Sequence, residues 1–155
     1  MRVSKLMTDY RIVEFVPEHA DDLWEREDSL ATAERGLMKR EIIVNMARAG
    51  HAFSLLTKGH LIAAGGIFPI WDGFGEAWFI PSNLIKAHKR QVIEQLREHV
   101  ERLSREDGYR RLQATARTDF AVGQRFLEFL GFEREGRLRK YGPDGADHYL
   151  YARLM

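Results

Sequence analysis

A strand that runs directly into a long amphipathic helix is the feature that most limits the folds open to this chain. Residues 76–80 (Glu-Ala-Trp-Phe-Ile) have the composition of a strand, and Pro-Ser-Asn at 81–83 interrupts it. Beyond a basic group at 86–90, apolar side chains recur at helical spacing on one face: Val92, Ile93, Leu96, Val100 and Leu103. A strand joined to a helix in this way favours a layered architecture of sheet and helices.

The start of this helix is basic, since it carries Lys86, His88, Lys89 and Arg90. Positive side chains have the wrong sign for the N-terminus of a helix, where the dipole favours anions. The conflict disappears if a bound anion supplies the negative charge, because first-turn amides and the dipole favour phosphate there. The alternative is that these side chains are solvated residues of a loop or first turn.

The first half of the chain predicts one strand, two helices and then three strands. Residues 10–16 form the strand, and Pro17 begins a helix because its fixed φ suits the first helical position. A second helix is expected from about Ala33 to a stop at Gly50, with an apolar face of Leu37, Met38, Ile42, Met46 and Ala49. Three strands then form a meander at residues 51–57, 60–71 and 75–80, with turns at 58–59 and 72–73.

The second half predicts a strand at 109–117, with Leu112, Ala114 and Ala116 on one face. Thr118-Asp119 is the expected N-cap of a further helix, which Gly131 closes. Two last strands, 132–140 and 148–154, flank a turn-rich linker. The order β-α-α-β-β-β-α-β-α-β-β predicts an α/β fold with a mixed sheet in one domain over residues 1–155.

Composition excludes several classes of function. The chain has no cysteine among its 155 residues, which excludes disulfides, thiolate metal sites and Cys nucleophiles. A net charge of +1 argues against nucleic-acid binding. Neither a His-x-x-x-His pair nor a carboxylate cluster suggests a metal site, and Gly-x-Ser-x-Gly and Walker-type loops are absent. No apolar run long enough for a membrane span and no signal peptide are evident, so we expect a cytoplasmic protein with no membrane partner.

The most specific pattern lies near the end of the chain. Residues 126–136, Phe-Leu-Glu-Phe-Leu-Gly-Phe-Glu-Arg-Glu-Gly, resemble the helix-to-strand junction of the GNAT superfamily of N-acetyltransferases. That junction usually reads Leu-Tyr-Glu-Lys-Leu-Gly-Phe, followed by a Glu and a Gly. Residues 138–145 and 149–153 are similar to the family's closing hairpin, and the element order is similar over nearly the whole chain. In detail the C-terminal half is most similar to GNAT-like proteins encoded in phage genomes.

The resemblance implies an acetyl-CoA-dependent enzyme that acetylates an amine of a small molecule or peptide. GNAT enzymes bind acetyl-CoA, their co-substrate, where the fourth and fifth strands splay apart. The pantetheine arm would then pair with the backbone of Trp78, Phe79 and Ile80. The pyrophosphate would lie on the loop and helix start formed by Lys86, Ala87, His88, Lys89 and Arg90.

Two departures from the family pattern stand out. Ala87 and Lys89 occupy positions that are usually glycine, and Leu84 replaces the usual Gln or Arg. The basic side chains could compensate by binding phosphate through their charge, or Ser82 caps a short helix there and no cofactor binds. Leu127 stands where the family usually has a Tyr that protonates the leaving thiolate, so catalysis by that residue is unsupported.

Glu76 is the candidate general base, because it precedes the apolar run of the fourth strand, where some GNAT enzymes carry a catalytic Glu. Neighbouring aromatic side chains would desolvate it and raise its pKa. The alternative is an exposed residue after the turn at 72–73. Tyr141 borders the final hairpin and is the candidate acid, although a half-buried turn aromatic is the competing interpretation.

Three functional hypotheses follow from these observations. The first is an acetyl-CoA-dependent N-acetyltransferase with an unknown amine acceptor. The second is a catalytically inactive GNAT-fold protein that serves as a binding or phage virion-associated accessory protein, because fold does not guarantee function. The third, a small nucleic-acid-binding domain, has only the basic group at 86–90 in its favour. Exposed edge strands near the C-terminus are compatible with a homodimer.

Overall fold

The structure is a computed structural model that describes residues 10–25 and 40–155. Its contacts divide the chain into two compact units. One unit comprises Met1–Gly66, in its described part, together with Phe79–His88. The other comprises Ile67–Trp78 together with Lys89–Met155. The expectation of a single domain over residues 1–155 stays a prediction.

The described elements follow the order that the sequence predicts. They are β1 (Tyr10–Glu14), α1 (Pro17–Glu25), α2 (Arg40–Ala49), β2 (His51–Thr57), β3 (His60–Trp71), β4 (Phe74–Pro81), α3 (Ile85–Asp107), β5 (Arg111–Arg117), α4 (Ala121–Phe129), β6 (Glu133–Leu138) and β7 (His148–Leu154). The strands form one seven-stranded sheet in the order β1-β2-β3-β4-β5-β7-β6. It is mixed, because β4 and β5 run parallel while β5 and β7 run antiparallel. The predicted α/β fold with a mixed sheet is confirmed.

In the first unit, β1 pairs antiparallel with β2 from Tyr10 opposite Thr57 to Glu14 opposite Phe53. Lys58 and Gly59 join β2 to β3 with φ angles of 50° and 79°, as a two-residue turn with two positive φ angles requires. The predicted turn and the bounds of both strands are therefore confirmed. Helix α1 buries Ala20 and Leu23, which are three residues apart and therefore share one face.

The predicted apolar face of the second helix is wrong at two of its three described positions, since Met46 is half-buried but Ile42 and Ala49 are not. Ile42 is 46% exposed and Ala49 is also exposed, whereas Ile43 and Val44 are buried. Helix α2 packs against α1 and β2, and those contacts select the stripe one residue further along. The predicted start at Ala33, the connection at 29–32, and Leu37 and Met38 lie outside the described residues.

In the second unit, α3 buries the predicted apolar stripe Val92, Leu96, Val100 and Leu103, and Ile93 is half-buried. Gly108 ends the helix with a φ of 71°, a conformation in which glycine avoids the steric cost of a Cβ. Gly131 closes α4 in the same way, with a φ of 92°. Within residues 10–25 and 40–155, no helix is both long and apolar enough to cross a bilayer.

The predicted N-cap of α4 is wrong. Phe120 occupies the cap position, and no side chain bonds to the helix amides there. Asp119 instead accepts two hydrogen bonds from the Arg117 guanidinium, at 3.0 and 3.1 Å. A carboxylate engaged in such a charge-assisted pair is drawn away from the helix start.

Candidate active site

Strand β5 presents a polar face on which the candidate site of the second unit is built. Leu112, Ala114 and Ala116 are buried on one face of this strand, as the sequence predicts. The alternate positions are half-buried and polar: Arg111, Gln113, Thr115 and Arg117. The parallel ladder between β4 and β5 covers three residue pairs and ends where Glu76 lies opposite Gln113. The candidate base is therefore placed beside the polar face of β5.

The Glu76 carboxyl is half-buried and lies opposite Gln113 in the strand register, close enough for the Gln113 amide to act on its pKa. Burial raises the pKa of Glu76 above its ordinary value, because desolvation penalises the charged form. The Gln113 amide and the nearby Arg111 guanidinium oppose this rise in pKa without cancelling it. The structure therefore agrees with the interpretation of Glu76 as a partly desolvated carboxyl, and not with that of an exposed turn residue.

Arg111 anchors this group of side chains. Its guanidinium donates to both Glu135 oxygens, at 2.7 and 3.1 Å, and to Gln113 Oε1 at 3.2 Å. It also lies over the Phe74 ring, 5.8 Å from the ring centroid. Because the pair with Glu135 is bidentate, the Arg111 side chain is restricted to one geometry.

Tyr141 reaches the same face from the segment between β6 and β7. Thr115 on β5 and Glu76 on β4 both act on the pKa of its hydroxyl. Burial and then the negative charge of Glu76 raise the pKa of the phenol, and Thr115 lowers it in part. The negative charge of Glu76 therefore acts on the pKa of the phenol, although 52% of Tyr141 is exposed to solvent. The structure brings together the two catalytic candidates, Glu76 and Tyr141, through adjacent polar positions of β5.

The segment that carries Tyr141 is held by ion pairs and close packing. Arg117 donates to Asp144 at 2.6 Å, and Arg137 donates to Asp147 at 2.8 Å. The Tyr141 ring packs on buried His148, with 5.0 Å between ring centroids. The position of the Tyr141 ring is therefore restricted by its packing against His148. It also lines an open depression together with Arg137, Leu138, Arg139 and Lys140.

The three residues predicted to pair with a pantetheine arm lie on β4. Trp78 is 7% exposed and belongs to the second unit, while Phe79 and Ile80 belong to the first. The β4–β5 ladder ends at Glu76, before any of these three residues. That early end of the ladder is compatible with the expected divergence of the fourth and fifth strands.

The start of α3 differs from a glycine-rich phosphate loop. Ser82 Oγ accepts from the Leu84 amide at 3.3 Å, so Ser82 caps a short turn, as one of the two sequence alternatives expects. The Lys86 and Ala87 amides donate to the Asn83 and Leu84 carbonyls, each at 3.2 Å. These two amides are occupied, so they can contact an anion only by giving up those hydrogen bonds.

The basic side chains at this point have different surroundings. Lys86, Lys89 and Arg90 are exposed, and Arg90 pairs with Glu94 at 3.4 Å. His88 lies at a break in the helix, with φ of −130° and ψ of 16°. Its Nδ1 shares a hydrogen bond with the Tyr10 hydroxyl at 2.5 Å. Lys89 thus lies in the helical segment that follows this kink.

Sequence reasoning missed Arg111, Gln113 and Thr115. The sequence did contain a signal for these three residues. Since Leu112, Ala114 and Ala116 are predicted to be buried on one face of the strand, the alternate positions must share the other face. Leu127, at the usual position of the family's Tyr, is buried in α4 with 9% exposure. Among the described residues, no three His, Asp or Glu side chains lie close enough together to hold a metal ion.

Solved structures with a similar fold include several acetyltransferases. Ard1 from Thermoplasma volcanium has a TM-score of 0.80 at 17% identity, over 95% of this chain and 98% of that chain. The ribosomal-protein-S5-alanine acetyltransferase from Vibrio fischeri has a TM-score of 0.72 at 12% identity, over 94% and 93%. A GNAT family acetyltransferase from Elizabethkingia anophelis, solved with acetyl-CoA bound, has a TM-score of 0.70 at 13% identity, over 95% and 99%.

The chain has the fold of the GNAT acetyltransferases. No protein-family model and no curated protein sequence matches it. At identities of 12 to 17% the likeness establishes the fold, and the activity has to be argued from the site.

Proposed function

We propose that this protein is an acetyl-CoA-dependent N-acetyltransferase that moves an acetyl group to the amine of a small molecule or peptide. The observation that carries the proposal is the placement of a partly desolvated carboxyl, Glu76, and a phenol, Tyr141, on one polar face of β5. The GNAT fold supports it, since a structure of that fold from Elizabethkingia anophelis has acetyl-CoA bound.

Glu76 acts as the general base in this proposal. An ammonium group must lose a proton before its nitrogen can attack a carbonyl carbon, and Glu76 accepts that proton directly or through a water molecule. Burial raises the pKa of the carboxyl toward the working pH, which makes it a better proton acceptor than an exposed carboxylate. Acetyl-CoA, when bound, supplies the acetyl group as a thioester.

Tyr141 acts as the general acid in place of the tyrosine that Leu127 replaces. When the carbon–sulfur bond breaks, the thiolate needs a proton, and the phenol can donate one. The raised pKa of Tyr141 keeps the phenol protonated throughout the neutral range. A backbone amide near Phe79 or Ile80 polarises the carbonyl, a task that needs no particular side chain.

Lys86, Lys89 and Arg90 are the residues that would hold the phosphates of the co-substrate. They suit the task because they are exposed cations, and ammonium and guanidinium groups bind phosphate without glycine-mediated backbone approach. Ala87 and His88 would take part only as the backbone that spaces these side chains.

The second candidate function is a catalytically inactive GNAT-fold protein that binds a partner or belongs to a phage particle. Two observations favour it: the occupied Lys86 and Ala87 amides, and the buried Leu127. The phage-encoded subgroup itself rests only on the similarity of the C-terminal half of the sequence.

The deciding experiment measures CoA release from acetyl-CoA over a panel of small amines and peptides. We expect turnover with at least one acceptor and a loss of about 10²-fold or more in kcat for Glu76→Gln. Glu98→Gln, the same change at an exposed position of α3, should keep the wild-type rate. If folded protein consumes no acetyl-CoA with any acceptor, the enzyme proposal is rejected and the second candidate is favoured.

A further inference from the structure

We propose that Gln113 is the positioning residue for Glu76: Arg111 fixes the orientation of the Gln113 amide, and that amide fixes the carboxylate. This inference rests on the proposed function for the role of Glu76 as a base. It goes further by identifying which side chains keep the carboxylate charged and directed toward an acceptor.

The orientation of the Gln113 amide follows from what its neighbours can donate. Arg111 Nη2 lies 3.2 Å from Gln113 Oε1, and a guanidinium has donors only, so the amide oxygen must face it. The NH₂ group of Gln113 is then left for Glu76, whose ionised carboxylate can only accept. With the oxygen and nitrogen exchanged, donor would face donor at Arg111 and acceptor would face acceptor at Glu76.

Arg111 can fix this orientation because it is itself held. Two hydrogen bonds to Glu135, at 2.7 and 3.1 Å, engage both of its terminal nitrogens, and its guanidinium carbon lies over the Phe74 ring, 5.8 Å from the centroid. In the proposed series, Arg111 therefore donates to the Gln113 oxygen, the Gln113 NH₂ group donates to Glu76, and the Glu76 carboxylate only accepts. A side chain whose rotamer is locked by further hydrogen bonds holds catalytic groups more closely than a mobile one does.

The charges that face Glu76 are few. Arg111 on β5 and the phenol of Tyr141 face it, and Glu135 on β6 neutralises part of the Arg111 charge. In the proposed arrangement, Gln113, which lies opposite Glu76 in the strand register, donates a hydrogen bond to the carboxylate itself. Without that hydrogen bond, burial raises the pKa of Glu76 further, because one interaction that stabilises the charged carboxylate is lost.

Thr115 gives the same strand a second function. It is two residues from Gln113 on the same face of β5, a separation of about 7 Å along a strand. Gln113 lies opposite Glu76 and Thr115 acts on the pKa of Tyr141, so β5 sets the spacing between the base and the acid. A rigid strand sets such a spacing more accurately than the turn-rich segment that carries Tyr141 could.

The test compares Gln113→Leu with Gln95→Leu, the same change on α3 away from the site. The first readout is a ¹³C NMR titration of the Glu76 carboxyl, assigned by its disappearance in Glu76→Gln. We expect the titration midpoint to rise by about one pH unit in Gln113→Leu, because a hydrogen bond to a charged group is lost. Gln95→Leu should leave the midpoint unchanged.

The second readout is the pH profile of kcat/KM. Its acidic limb should move upward with the carboxyl midpoint, so that kcat/KM falls about tenfold below that limb and recovers at higher pH. A purely structural role for Gln113 would instead lower kcat/KM by the same factor at every pH.

A third readout needs no variant and therefore does not depend on whether Gln113→Leu folds. In the wild-type protein, the side-chain amide resonances of Gln113 should titrate with the same midpoint as the Glu76 carboxyl. Absence of that shared midpoint, or an unchanged Glu76 midpoint in folded Gln113→Leu, overturns the inference. If both NMR results hold but wild-type protein has no turnover, the positioning of Glu76 stands and the proposed function fails.

Discussion

Glu76 is subject to opposing influences that link its proposed chemistry to the stability of the fold. Burial favours the neutral carboxyl, while Gln113 and Arg111 favour the charged one, and the pKa remains raised. A carboxyl whose pKa is higher in the folded than in the unfolded state stabilises the fold below the unfolded pKa. That contribution is lost as the pH rises through the folded pKa. At neutral pH, Glu76 therefore costs the protein stability, as a residue kept for function can.

Glu76→Gln should accordingly be more stable than the wild type at pH 7, since the amide removes the desolvated charge and keeps the shape. The gain in the free energy of unfolding should vanish below about pH 4, where both side chains are neutral. Urea unfolding at several pH values measures it. Glu98→Gln, at an exposed position, should show no such pH dependence. An equal or lower stability of Glu76→Gln at pH 7 would contradict the cost assigned to the buried carboxyl.

Tyr141→Phe removes the proposed acid while keeping the ring that packs on His148. We expect kcat to fall by about 10²-fold with little change in KM, because only the proton donor is lost. The basic limb of the wild-type pH profile should lie above the ordinary pKa of tyrosine, since burial and Glu76 raise the pKa, and it should disappear in the variant.

Tyr149→Phe is the matched control, because the Tyr149 ring keeps its contact with the Arg134 guanidinium, 3.6 Å from the ring centroid. It should retain the wild-type kcat. An unchanged kcat in Tyr141→Phe would remove Tyr141 from the mechanism and leave water as the proton source.

At the scale of the element, β4 has one position at which a side chain does not fit. A Cβ on Gly75 would lie 2.7 Å from Ile67 Cγ2, 2.9 Å from the Tyr109 ring and 3.2 Å from the Phe68 carbonyl oxygen. Backbone and buried groups cannot move aside as an exposed side chain can. Gly75 is therefore a packing requirement next to the candidate base.

Gly75→Ala should destabilise the protein by about 1–3 kcal/mol, the usual cost of overpacking a filled interior. Gly136→Ala on β6 is the control, because nothing lies within 4 Å of a Cβ at that position. Urea unfolding of both variants measures the difference. If Gly75→Ala were as stable as Gly136→Ala, the close approach of Ile67 and Tyr109 would be wrong.

The elements that the sequence predicted best are those bounded by strong local signals. Lys58-Gly59 and Asp72-Gly73 mark their turns by residue type, so the bounds of β2 and β3 agree with the structure. Local signals failed where a tertiary contact overrides them. Asp119 is a good N-cap by type, but Arg117 binds it, and the α2 stripe is set by packing against β2 and α1.

At the scale of the whole molecule, the order of the strands in the sheet could not be predicted from the sequence. β7 lies between β5 and β6, so the last strand of the chain is inserted between two earlier ones. Arg111 on β5 and Glu135 on β6 meet across that arrangement, although 24 residues separate them in sequence. Glu76 and Tyr141 were predicted as catalytic candidates from the sequence and from the resemblance, whereas the side chains that surround them depend on a pairing order with no local signature.

A measurement of CoA binding tests both the function expected of the whole fold and the altered start of α3. Because the Lys86 and Ala87 amides are occupied, we expect phosphate binding there to rely mainly on side-chain charge. Such charge is screened by salt, whereas a backbone cradle is less sensitive to it. Binding that weakens with salt and with loss of one cation is therefore the expected behaviour.

CoA at a hundred times its Kd should add about 2.7 kcal/mol and raise Tm by about 5–10 °C. Lys89→Glu should abolish most of this rise, because it places a negative charge beside the phosphates, while Arg97→Glu, an exposed charge reversal further along α3, should keep it. Thermal unfolding with CoA, at low and high salt, measures both. No rise at millimolar CoA would reject the co-substrate. A rise that Lys89→Glu leaves intact would instead assign phosphate binding to the backbone after the kink at His88.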